Sequence, residues 1–96
     1  MDVSILSTRV HREAEKRGLV LRFLKPPDYE VLQVCERASD GVLDGIGHVT
    51  GTGGGPPHVA YAMNRRTRNN DEIALGLMTW EAGVLAILAA YDREQC

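Results

Sequence analysis

Aromatic side chains are scarce in this 96-residue chain: one Trp, one Phe and three Tyr, 5% of the residues. A core built from it must be mainly aliphatic, and few rings are present for stacking on nucleobases. Cysteine is scarce too. Cys35 and Cys96 are too few for a disulfide framework. Cys35 reads as a small buried hydrophobe and the terminal Cys96 as frayed. A cationic start followed by an apolar run and a small-residue cleavage site is missing, so no signal peptide is expected. A reducing cytoplasm is the simplest compartment.

An excess of one charge is also lacking. Eleven Lys and Arg stand against thirteen Asp and Glu, a net charge of −2. The charge is evenly spread, so no general attraction to nucleic acid or an anionic membrane is expected. Arg9, Arg12 and Lys16 form a basic stripe, but Glu13 and Glu15 interrupt it. Pairing such as Glu13–Arg17, at helical spacing, explains these charges as a solvated face.

Motifs for chemistry are absent as well. The glycine-rich segment up to Pro57 suggests an anion loop at Gly51, Gly53 and Gly54, with Arg65, Arg66 and Arg68 to neutralise the charge. It lacks the Lys-Ser/Thr ending of a phosphate loop, and Pro56 and Pro57 donate no N–H. His48 and His58 flank this loop and read as exposed. With Asp44 they are too few for a structural zinc site, so neither metal nor cofactor is expected. Ser4, Ser7 and Thr8 have no base poised beside them. An enzyme is not expected.

What is present is hydrophobic patterning: 44% of the chain is hydrophobic and 25% charged, the balance of a soluble globular domain over residues 1–96. Ile73, Leu77, Trp80, Val84, Ile87 and Tyr91 recur at spacings of four and three, a seam of period about 3.5. Gly76, Gly83 and Ala90 add a small-residue stripe beside it. The pattern predicts one long apolar helix starting at an Asn70 cap and running to the C-terminus. Glu81 near its middle argues against a membrane span.

Further upstream, an Asp2 cap with Val3, Leu6, Val10 and Ala14 predicts a first helix that stops at Gly18. Residues 19–25 read as a strand. Pro27 then opens a second helix whose buried face is Val31, Val34, Cys35 and Ala38. Residues 42–49 form a weak strand, 50–57 a loop and 58–64 a strand of alternating character. The expected fold is a small α+β domain, ordered α-β-α-β-β-α, with a short, mostly antiparallel sheet covered by helices.

The function this implies is a small non-catalytic regulator or inhibitor acting on a partner protein. It would self-associate, preferably as a homodimer, through Ile73, Leu77, Trp80, Gly83, Val84, Ile87 and Tyr91 of the last helix. The alternative is a binder of a nucleotide or phosphometabolite at the glycine loop and arginines.

Overall fold

The computed structural model describes residues 5–24, 30–52, 55–64 and 66–95. They form helix α1 (Thr8–Lys16), strands β1 (Leu19–Leu24), β2 (Glu30–Arg37), β3 (Leu43–Thr52), β4 (Gly55–Met63) and β5 (Asn70–Leu77), and helix α2 (Trp80–Gln95). The strands pair in chain order, each antiparallel to the next. A small α+β fold with an antiparallel sheet and a helix at either end is thus as expected. Among the described residues no helix is long and apolar enough to cross a membrane.

The first helix starts later than its pattern suggested. Ser7 is the cap, its Oγ accepting from the Val10 N–H at 3.4 Å; Asp2 and Val3 lie outside the described residues. Val10 and Ala14 are buried on its inner face. Gly18, at φ 69°, follows the last turn and donates its N–H to the Glu15 carbonyl at 3.0 Å. The expected stop is therefore the observed one.

The helix expected after Pro27 is instead strand β2. Val31, Leu32, Val34 and Cys35 are all buried. Side chains of low exposure thus occur on both faces of β2, so its period of two is lost and its spacing imitates a helix. Pro27 and Asp28 lie outside the described residues. Most of the expected 50–57 loop is strand as well, because β3 runs to Thr52 and β4 starts at Gly55.

The long C-terminal helix is also corrected. Residues Asn70–Leu77 pair with β4 as an edge strand, and only Trp80–Gln95 is helical. Gly76 has φ 63° near the strand's end, and Thr79 Oγ1 accepts from the Ala82 N–H at 3.1 Å. The cap of the helix is thus Thr79, not Asn70.

Both helices lie on one face of the sheet. Leu6, Val10 and Ala14 from the first segment and Trp80, Val84, Ile87 and Leu88 from α2 share one core with Leu19, Leu32, Val34, Val49 and Ala60. Each large aliphatic side chain buried there contributes ~1.5–3 kcal/mol. Polar ties join the helices across their ends. Glu81 Oε1 accepts from the Ser7 N–H at 2.7 Å, and Arg17 grips both carboxylate oxygens of Asp92 at 2.8 and 2.6 Å. The Arg17 hydrogen bonds hold the Asp92 carboxyl below its usual range.

Candidate functional site

The residues expected to meet a second chain are used inside the fold. Trp80, Val84 and Ile87 are 7%, 0% and 1% exposed. Ile73 and Leu77 pack on the same core from β5. Trp80 stands edge-on to Phe23 at 5.2 Å, and its ring lies 4.2 Å from that of His58. Gly83 sits where a Cβ would fall 2.6 Å from Val49 Cγ2, so the close approach it permits is to the chain's own sheet. Tyr91 is half-buried, its hydroxyl donating to Glu36 Oε2 at 3.4 Å. A partner cannot reach Trp80, Val84 or Ile87 without dismantling the core.

The expected anion site is not assembled either. Gly51 is buried within β3, paired with His58 at one end of the β3–β4 hairpin. Arg66 and Arg68 are exposed in the β4–β5 turn, beyond Met63 at the other end. His58 to Met63 spans about 17 Å of strand, too far for one small ligand to engage both ends through these groups. Gly53, Gly54 and Arg65 lie outside the described residues. The Arg66 N–H donates to Asn64 Oδ1 at 2.9 Å, which serves the turn.

His58 is buried rather than exposed, and its Nδ1 meets the Thr50 carbonyl at 3.3 Å. A groove of about 400 Å³ beside it is lined by Ile5, Met78, Trp80 and Glu81 among others. Its polar members serve the fold: Glu81 holds the Ser7 N–H, and Thr79 caps α2. Among the described residues no three His, Cys, Asp or Glu side chains come together as a metal site.

The sheet face away from the helices is different. In an antiparallel pair, residues directly opposite share a face, and successive residues alternate. Leu32, Val34 and Val49 point to the helices, so Gln33 and His48 point away. Register then carries one row across all five strands. Arg22 pairs with Gln33, Gln33 with His48, His48 with Tyr61, and Tyr61 with Glu72. Two residues along the strands runs an apolar row: Leu24, Val31, Thr50 and Val59 in register. Leu75 extends it. Ala74 faces the core opposite Ala60, so the next residue turns outward, and Leu75 is 64% exposed.

The polar row is ordered by contacts within the sheet. Arg22 Nε donates to Gln33 Oε1 at 2.7 Å, and the Cys35 thiol donates to the same oxygen at 3.3 Å. The His48 and Tyr61 rings stack at 4.8 Å with planes 18° apart. Burial pushes the His48 imidazole below its ordinary value, leaving it neutral at pH 7. Burial also pushes the Cys35 thiol up, and the Asp44 charge adds to this while Arg22 opposes it. A protonated thiol bonded to an amide oxygen is a poor nucleophile. The row offers donors, acceptors and a flat ring pair.

Sequence reasoning did not find this row. Its members are spread over five strands, ten or more residues apart, and only register unites them. Comparison with known proteins finds no matching family model, no matching curated protein and no matching solved structure.

Proposed function

We propose that this chain is a small non-catalytic regulator that works by binding protein through the open face of its sheet. One observation carries the reading: a face five strands wide, unoccupied by either helix, with an Arg-Gln-His-Tyr-Glu row beside a row of Leu, Val and Thr. Arg and Tyr are residue types that concentrate binding energy at interfaces, and an apolar strip with hydrogen-bonding groups beside it is how such surfaces are built. The compartment that fits is the cytoplasm, where Cys35 stays reduced. Inhibition of a larger protein by covering part of its surface is the mode of action that suits so small a chain.

The reading is tested by substitution on either side of the sheet. Tyr61→Arg and Leu75→Asp should abolish capture of the cellular partner while leaving the circular dichroism spectrum unchanged. Arg66→Ala with Arg68→Ala should leave capture intact. Capture that survives the face substitutions and fails with the arginine pair moves the binding surface to the β4–β5 turn.

A further inference from the structure

We infer that the open face docks on a second copy of itself, with the twofold axis lying between the sheets and parallel to the strands. The inference rests on the open face being a binding surface and names what occupies it. The charge along the row decides the geometry. Arg22 stands at one end, on β1, and Glu72 at the other, on β5, with His48 at the centre. Among the described residues neither Arg22 nor Glu72 has a partner of opposite charge. A rotation about an axis parallel to the strands reverses the row, bringing Arg22 of each copy over Glu72 of the other and His48 over His48. A rotation about an axis along the row would set Arg22 against Arg22 and Glu72 against Glu72.

The apolar row is compatible with the same axis. Rotation parallel to the strands keeps position along them, so this row falls on its own counterpart: Leu24 over Leu75, Val31 over Val59, Thr50 over Thr50. Rotation about the polar row would carry it to the opposite side, over the region of Val20, Cys35 and Gly45. Charge and polarity therefore agree on one self-complementary arrangement, an isologous interface of aligned sheets.

Its size sets its strength. Five strands about 4.8 Å apart and three rows about 6.8 Å apart make a patch roughly 20 Å square. Two such patches bury about 800 Å², at the small end for specific interfaces, so the dimer forms and dissociates readily. The neutral state of His48 favours the contact, because the two imidazoles meet on the axis.

Sedimentation equilibrium over a concentration series tests this. The wild-type chain should show a monomer–dimer equilibrium. Arg22→Glu and Glu72→Arg should each weaken it at least tenfold, since each sets like charges opposite at two places in the dimer. The double swap should restore it, and an equimolar mixture of the two single variants should form a heterodimer. Both residues are exposed, so folding is preserved. A strictly monomeric wild type overturns the inference; if Tyr61→Arg still abolishes partner capture, the open face remains a binding surface for another protein. A dimer indifferent to both single swaps overturns the inference too, and if it also survives Tyr61→Arg with partner capture intact, the open-face reading falls with it.

Discussion

Gly83 and His48 show how single positions tie the two faces of the sheet to different tasks. On the helix side, the Val49 methyls occupy the space a Gly83 side chain would need, and a β-branched neighbour in a packed core has little room to yield. Gly83→Ala gains up to ~1 kcal/mol in helix propensity and loses ~1–3 kcal/mol to overpacking. The expected outcome is a net loss of stability in urea denaturation; a gain would mean that α2 stands further from β3 than described.

On the open side, His48 is held neutral by burial. The unfolded chain takes up a proton there below about pH 6.5, while the folded chain resists it to a lower pH. The unfolded state thus binds more protons in that window, and stability falls as pH falls. His48→Gln should flatten the dependence below about pH 7.5. Equal slopes in denaturation of both proteins would show that His48 is not the group responsible.

Among the elements, β5 and α2 show most clearly what could be read in advance. Four of the six seam residues were legible: Trp80, Val84, Ile87 and Tyr91 do lie on one side of a helix, and they do bury a surface. The helix did not extend back to Asn70 because two irregularities disguise the strand before it. Register shifts at Ile73, and Gly76 takes a positive φ, so Ile73, Ala74 and Leu77 all pack on the core at spacings a helix would also give. Gly76 and Thr79 were the available cues, a break and a cap three residues apart. β2 was missed for a different reason, since burial on both faces erased its alternation. β1, β4 and the Gly18 stop were readable because one face of each strand is wet, or because a turn left its usual residue.

Thr79→Ala should lower stability by ~1 kcal/mol, the usual worth of an N-cap, and Asn70→Ala should have almost none of that effect. Equal losses at both positions would restore Asn70 as a structural terminus. Both can be measured in one urea series.

At the scale of the whole molecule, the chain spends its hydrophobic residues unevenly. The helix side of the sheet takes Leu32, Val34, Val49, Ile87 and Leu88, each at most 2% exposed, and Arg17 and Glu81 fasten the two helices there. What is left on the other side is an apolar strip exposed at its ends, Leu24 and Leu75, beside a row with opposite charges at its ends. The sequence contains every one of these residues, but a row built from five strands exists only once the strands are paired. Periodicity along the chain therefore points to the helix, and no pattern along the chain points to the sheet.

The most direct measurement is an amide and side-chain NMR dilution series on the isotope-labelled wild-type protein. The expected result is a single apparent Kd reported jointly by Arg22, Gln33, His48, Tyr61 and Glu72, with Leu24 and Leu75 moving with them. Exposed positions on the outer helix surfaces, such as Arg12 and Ala89, should stay still. Concentration-dependent shifts confined to those helix positions, or spectra unchanged across the whole series, would contradict an open face that docks on its own copy.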